Sequence, residues 1–215
     1  MIAYFDCFSG ASGDMILGAL VDAGWPGLEE ALEKLNVPGW RMDAKKVVKR
    51  GITATSVSFQ LEPGSQRRHL EDMLAIISAS GLPAPARDAA GAIFRRLAEV
   101  EAGVHGIALQ QVHFHELGGL DTLLDVVGAC AGFAHFGFEH VAVSPFALGS
   151  GTVTTEHGVL PVPAPATAKL LEGWEVVPGL AKRELTTPTG AAILTHFATS
   201  QALPPMRLSS IGYGA

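Results

Sequence analysis

A compact apolar run, Ile2 to Phe8, breaks at the turn Ser9-Gly10-Ala11-Ser12-Gly13-Asp14 and continues as a helical pattern from Met15 to Gly24. A strand that runs through a glycine turn into a helix is the unit from which layered α/β domains are built. The same alternation recurs down the chain. A short helix over Glu29 to Leu35 is closed by Asn36 and Pro38. Two strands, Met42 to Arg50 and Ile52 to Leu61, turn at Gly51, and Pro63-Gly64-Ser65 breaks the pattern. Helices follow over Leu70 to Ser80 and Ala86 to about Gly103, the second with Ala89, Ile93, Leu97 and Val100 on one stripe. Beyond them come a short His-x-His strand, a helix from Leu120 to His135 and a strand from His140 to Ser144. A Gly/Pro-rich zone, Gly149 to Pro165, leads into a helix at Ala166 to Glu172, and a last helix spans Ala191 to Thr199. This order predicts an α/β fold, a mixed β-sheet with flanking helices.

At 215 residues the chain has length for one large domain or two small ones. Hydrophobic residues make up 48% and charged residues 17%, a composition that builds a core and argues against disorder. The net charge of −6, with no basic block beyond Lys45-Lys46 and Arg67-Arg68, argues against nucleic-acid binding. Cys7 and Cys130 are the only cysteines, expected as buried free thiols in a reducing compartment. The N-terminus has no basic n-region, and the most apolar stretch, Val126 to Phe138, is too short to span a bilayer. A cytoplasmic protein without membrane contact is expected. The end, Ser209-Ser210-Ile211-Gly212-Tyr213-Gly214-Ala215, looks like a strand entering a glycine turn, and a truncated or split protein is expected from it.

The densest chemistry lies between Val112 and Asp125. In a strand, His113 and His115 point the same way, with Glu116 beside them. After Gly118-Gly119, Asp121 and Asp125 stand four apart on one helical face. Converging imidazoles and carboxylates suit a divalent metal or acid/base work. The plain alternative makes one histidine a satisfied core residue, Glu116 a surface group, and the two aspartates a cap and a solvated position. At the first turn, backbone N–H groups and a helix start offer a phosphate site, with Asp6 and Asp14 as metal holders or bases. A simple tight turn with Ser12 as N-cap explains the same residues. Thr186-Thr187-Pro188-Thr189-Gly190 resembles a second anion-binding helix start, or simply Thr187 capping with Pro188 at the first helical position.

His157 opens a segment stiffened by Pro161, Pro163 and Pro165, which excludes a central strand. The segment reads as a rigid rim fixing His157 at a pocket, or as an edge connector. Glu101 and His105 read as an i,i+4 pair at a helix end. His69 is either a substrate contact or a surface residue. His135, His140 and His196 read as structural. No Gly-x-Ser-x-Gly elbow and no Cys-x-x-Cys pair occurs.

Taken together, Tyr4-Phe5-Asp6-Cys7-Phe8-Ser9-Gly10-Ala11-Ser12-Gly13-Asp14-Met15 resembles the opening of the LarC-type nickel-insertion proteins. So do His113-Phe114-His115-Glu116 with Gly118 and Asp121, and His157-Gly158 with Pro161-Val162-Pro163-Ala164-Pro165-Ala166-Thr167. Thr187-Pro188-Thr189-Gly190-Ala191 and Ile211-Gly212-Tyr213-Gly214-Ala215 extend the resemblance over essentially the whole chain. It implies a nickel chelatase or cyclometallase of the lyase class. That activity inserts nickel into pyridinium-3,5-bisthiocarboxylic acid mononucleotide to make the nickel-pincer cofactor of lactate racemase. The implied co-reactants are CTP and manganese or magnesium. Residues 1–215 would be the N-terminal domain. The implied partner is a C-terminal half, absent from this chain and associated with CTP, and a homo-oligomer is expected. Some relatives carry a histidine-rich run before the segment matching Arg67-Arg68-His69-Leu70-Glu71-Asp72. Only His69 stands there, so a nickel-storage role is not carried over.

Under this resemblance the substrate has a phosphate, a pyridinium ring and two sulfur-bearing arms. Ser9, Gly10, Ser12, Gly13, Thr187, Thr189 and Gly190 are the candidate phosphate residues. His113, His115 and Glu116 are first candidates for nickel, with Asp121 and Asp125 ligating or orienting them. Asp6, Asp14 or His157 would accept the ring proton lost when a nickel–carbon bond forms. Two other readings stay open: a non-catalytic nickel or substrate carrier that needs its partner half, and a metal-dependent phosphohydrolase built on Asp6 and Asp14.

Overall fold

The computed structural model describes residues 1–62, 68–112, 114, 119–155 and 157–215. In chain order the elements are β1 (Ile2–Phe5), α1 (Gly13–Asp22), α2 (Leu28–Glu33), β2 (Trp40–Lys49), β3 (Ile52–Leu61), α3 (Leu70–Ala79), α4 (Ala84–His105), α5 (Leu120–Phe136), β4 (His140–Val143), β5 (Phe146–Ala147), β6 (Thr152–Thr155), β7 (Gly158–Pro161), α6 (Pro165–Leu170), β8 (Val176–Val177) and α7 (Pro188–Phe197).

The α/β class holds, but in place of one mixed sheet the named strands pair in four two-stranded sheets, two parallel and two antiparallel. β1 runs parallel to β4, from Ile2 opposite His140 to Phe5 opposite Val143, and β5 runs parallel to β8. The chain leaving α7 continues on β4: the Thr199 N–H donates to the Val141 carbonyl at 2.9 Å, and the Val143 N–H to the Ser200 carbonyl at 3.0 Å. Parallel neighbours require crossovers, and the helices supply them. β2 and β3 form a ten-residue antiparallel ladder closed by Arg50 and Gly51, both at positive φ, as a tight hairpin of this hand requires.

The core is organised around α5. Every residue from Leu120 to Phe133 is buried except Asp121. A helix apolar on all faces has no solvent side, so its neighbours must enclose it. Gly128 and Gly132 let α1 and α2 approach. A Cβ on Gly128 would stand 2.9 Å from Leu17 and from Leu28, and one on Gly132 would stand 2.8 Å from Leu20 and Trp25. At the far end Phe133 stacks on Phe197 of α7 (4.1 Å) and on Phe5 of β1 (5.3 Å). The apolar stripe of α4, with Ile93, Phe94, Leu97 and Val100 buried, closes the core, and Phe94 meets Phe114 edge to face.

Several boundaries differ from the sequence expectation. The first strand stops at Phe5, because the Cys7 N–H donates to Ser144 Oγ at 2.8 Å and Asp6 closes a local turn on the Phe8 N–H. The helix after it begins at Gly13, not Met15. The last helix begins at Pro188 and ends at Phe197, with Thr187 Oγ1 accepting from the Gly190 N–H at 3.2 Å. The Gly/Pro-rich zone contains the hairpin β6–β7, where Pro161 pairs with Thr152. A two-stranded ribbon leaves an outer side on which proline is tolerated, which period-two reasoning did not reveal. The His-x-His strand falls on residues outside the described set. Both cysteines are free and buried, as expected. Among the described residues no helix is long and apolar enough to cross a membrane.

Tyr213 to Ala215 pair with β3 at a single bridge: the Thr55 N–H donates to the Tyr213 carbonyl (2.8 Å), and the Ala215 N–H to the Thr55 carbonyl (3.0 Å). Glycine is required here, since a Cβ on Gly214 would lie 1.8 Å from the Met15 carbonyl of α1. Asp22 locks the arrangement, accepting from Thr55 Oγ1 (2.6 Å), the Tyr213 N–H (3.0 Å) and Lys46. Burial alone would raise its pKa, but the bonds from Lys46, Thr55 and Tyr213 outweigh it and hold the carboxyl below its ordinary value. A depressed folded-state pKa stabilises above the unfolded carboxylate range and ceases to as pH falls through it. Asp22→Ala is therefore expected to lower unfolding free energy by about 2 kcal/mol at pH 7, the scale of losing charged-acceptor bonds. In urea melts across pH, that difference should shrink toward zero as pH falls below the ordinary carboxylate range.

Candidate functional site

Two helix starts interlock at the top of the core. The Ala11 N–H donates to the Leu185 carbonyl (3.0 Å), and the Thr187 N–H donates to the Ala11 carbonyl (2.9 Å). This ties the turn before α1 to the segment before α7. Glycines permit the approach: a Cβ on Gly10, at φ +96°, would lie 2.0 Å from the Leu185 carbonyl, and one on Gly190 2.2 Å from the Ala11 carbonyl. Gly10 and Gly190, proposed from sequence as phosphate-cradling positions, therefore have a packing duty as well. Their N–H groups have partners in the fold, Gly10 on the Cys7 carbonyl and Gly190 on Thr187 Oγ1.

Around this junction the sequence candidates separate. Ser9 and Asp6 are exposed, Asp6 Oδ1 accepting the Phe8 N–H at 3.2 Å. Ser12 is the N-cap residue of α1, but its hydroxyl donates to Asp14 Oδ1 and makes no cap bond. Asp14, half-buried, also accepts the Met15 N–H at 2.9 Å. Thr187 performs the plain capping role. Pro188 brings no N–H to α7, which leaves Thr189, buried in the first turn, to present an N–H and a hydroxyl there.

The third helix start belongs to α5, capped by Gly119. Asp125, one turn in, is 6% exposed and presses on α1: a Cβ on Gly13 would lie 2.2 Å from Asp125 Oδ2. Gly13 is thus where the acid fits. Asp125 Oδ1 is buried with no hydrogen-bond partner among the described residues. Burial pushes its carboxyl well above the ordinary range, and the charges of Asp121 and then Asp14 push it further. Asp121 keeps a solvent-facing rim, yet desolvation and then the Asp14 charge raise it too. Asp121 and Asp125 on α5 therefore lie in the field of Asp14 on α1, and ionising both of them is disfavoured without a counter-charge. The sequence pairing of Asp121 with Asp125 appears here. The addition of Asp14 depends on how α1 crosses α5.

His113, His115 and Glu116 lie outside the described residues. Phe114 between them is buried. Among the described residues no three His, Cys, Asp or Glu side chains gather as a ready metal set. His157 is exposed at the β6–β7 turn, its N–H on Thr155 Oγ1 at 3.1 Å. Its ring lies 4.8 Å from that of His105, whose Nε2 is 3.2 Å from Glu101 Oε2. The i,i+4 pair expected from sequence is present, and its juxtaposition with His157 had no local signal. His69 N-caps α3, its N–H on Asp72 Oδ2 at 3.0 Å. His135 stacks on Trp25, and His140 faces Thr199. Burial and the Arg96 charge lower the pKa of His196. Burial, then the Asp6 charge, pushes the Cys7 thiol up to about 12, which leaves it protonated and unreactive. A cavity of about 470 Å³ lies at α2 and β2, lined by Glu29, Glu33, Trp40 and Arg41 among others, and shares no residue with these clusters.

The acid cluster yields a stability signature. A carboxyl whose folded pKa is raised stabilises fully below the unfolded pKa and loses that contribution as pH rises toward the folded value. Asp125→Asn removes the charge, so the variant should be more stable than the parent at pH 8 by at least about 1 kcal/mol. The two should converge near pH 4 in denaturant melts, and an equal offset at both pH values would contradict the buried-acid assignment.

Comparison with known proteins gives one consistent result. A family model described as nickel insertion protein matches residues 3–215. A protein of Roseiflexus castenholzii, provisionally named a nickel insertion protein, is 48% identical over 99% of this chain and 55% of its own length. The pyridinium-3,5-bisthiocarboxylic acid mononucleotide nickel insertion protein of Desulfitobacterium hafniense is 45% identical over 99% of this chain and 54% of its own. Its namesake in Geobacillus kaustophilus is 42% identical over the whole of this chain and 55% of its own. The chain spans about half the length of the curated relatives it matches. No solved structure matches the chain.

Proposed function

We propose, for a chain that belongs to the nickel insertion protein family, that it takes part in inserting nickel into a pyridinium bisthiocarboxylate mononucleotide. The observation that carries this is the gathering of Asp14, Asp121 and Asp125 where the starts of α1, α5 and α7 meet. The substrate joins a phosphate to a cationic ring, and the junction offers features for both ends. Helix-start N–H groups with Thr189 suit the phosphate. The carboxylates suit the positive ring and supply the proton acceptor that nickel–carbon bond formation demands.

Roles divide by exposure. Asp14 is half-buried at the head of α1, so it reaches a bound ring and takes its proton; Asp6 is the second candidate, exposed in the turn before it. Asp121, on the rim, reaches an arriving metal or ring. Asp125 is too enclosed to meet substrate and stands behind Gly13 at the head of α1. His113, His115 and Glu116 are assigned to nickel, whose borderline character suits imidazole. Ser9, Ser12 and Gly13 complete the phosphate side. Manganese or magnesium with CTP is the co-reactant the resemblance implies. Hard oxygen donors of its kind are present in Asp14, Asp121 and Asp125, but without a ready ligand set. The chemistry assigned to this chain is therefore nickel delivery, substrate holding and proton transfer. The family's C-terminal half is the proposed partner, within a homo-oligomer in the cytoplasm.

The test mixes the purified protein with nickel, the thiocarboxylate precursor, CTP and manganese, with and without the C-terminal half of a relative, and follows the nickel adduct by mass spectrometry. Adduct formation that falls at least a hundredfold in Asp14→Asn, the scale of a lost general base, is expected. No adduct under either condition would defeat the proposal. Adduct only with the added half would favour the carrier alternative.

A further inference from the structure

Glu101, His105 and His157 form a second titratable cluster. Glu101 and His105 lie on the last turns of α4, and His157 comes from the β6–β7 turn. The Glu101 side chain is only 13% exposed, and its Oε2 lies 3.2 Å from His105 Nε2. A carboxylate on Nε2 fixes the tautomer that carries the proton there and places the imidazole lone pair on Nδ1. The carboxylate–imidazole couple is the usual support behind a metal-binding histidine.

The second imidazole stands at a telling separation. Two histidines on one first-row ion, with metal–nitrogen distances of about 2 Å, place their ring centres roughly 4.5–5 Å apart. The rings of His105 and His157 are 4.8 Å apart and tilted by 46°, not stacked face to face. The Thr155 hydroxyl accepting the His157 N–H steadies the turn that presents the second ring.

We propose that His105 and His157 together hold a nickel ion, with Glu101 positioning His105 through its Nε2–H. The site is open. Two imidazoles leave the remaining positions to water or to the sulfur arms of an incoming substrate. An ion held by two neutral nitrogens leaves readily, as a metal destined for another molecule must. The assignment rests on the nickel-insertion reading and deepens it: nickel would be received at the α4 end and β6–β7 turn, and His157 would be a ligand, not a base.

The protein is titrated with nickel chloride by calorimetry, beside His105→Ala, His157→Ala, Glu101→Gln and the pair His113→Ala and His115→Ala. X-ray absorption of the nickel-loaded forms counts imidazole ligands. Since His105 and His157 are both exposed, the variants should keep the parent's circular dichroism. Each histidine variant is expected to weaken one binding event at least tenfold and remove one imidazole from the absorption spectrum. Glu101→Gln should weaken the same event about tenfold with both imidazoles retained, the size of a lost supporting bond. Unchanged affinity in His105→Ala and His157→Ala would overturn the site. If affinity falls only in His113→Ala and His115→Ala, this site is overturned while nickel insertion stands. If the parent binds no nickel, both fall.

Discussion

The enclosure of α5 is the constraint on which the rest of this molecule depends. Its sequence is apolar around the full circumference, so it cannot rest on a surface and must be wrapped. α1, α2, α4 and α7 do the wrapping, and glycines at 128 and 132 set how closely α1 and α2 come. Once α5 is fixed, its first turns can point only to the junction of the α1 and α7 starts. Asp125 follows as a consequence. It is buried because α5 is buried, and it meets Gly13 because α1 crosses there.

That placement opposes what the core otherwise does. Apolar burial stabilises the fold, while a carboxyl whose Oδ1 has no partner among the described residues, facing two more carboxyls, costs free energy. Such a group, enclosed by rigid elements, is typical of a position kept for chemistry. The oxygen-rich and nitrogen-rich clusters also differ in support. The acids stand on helix starts, from buried Asp125 out to exposed Asp121. The histidines stand on a helix end and a hairpin turn at the surface, where an ion can arrive from solvent.

Much of this was legible from the chain. The Ile2–Asp14 unit, the β2–β3 hairpin with its Gly51 turn, α4 and α5 all follow from period and punctuation, within a few residues. The pairing of Asp121 with Asp125 is a matter of helical spacing, and Thr187 with Pro188 read as a cap is what forms. The hairpin β6–β7 was not legible. Its strands are four residues each, none of these residues is fully buried, and β7 ends on a proline. The two-residue pair β5–β8 is shorter than any pattern can mark. The function of Gly10, Gly13 and Gly190 was read as ligand access. Their neighbours across the fold show contact with Leu185, Asp125 and Ala11.

The α/β class, the helices and the residue types available for chemistry follow from the chain alone, because they depend on local propensity and on one-dimensional period. Which of those residues act together was set by packing. Asp14 joins Asp121 and Asp125 across a helix crossing, and His157 joins His105 and Glu101 across a hairpin. The residues of each set are far apart in the chain, and what brings them together is core packing, which no local pattern encodes.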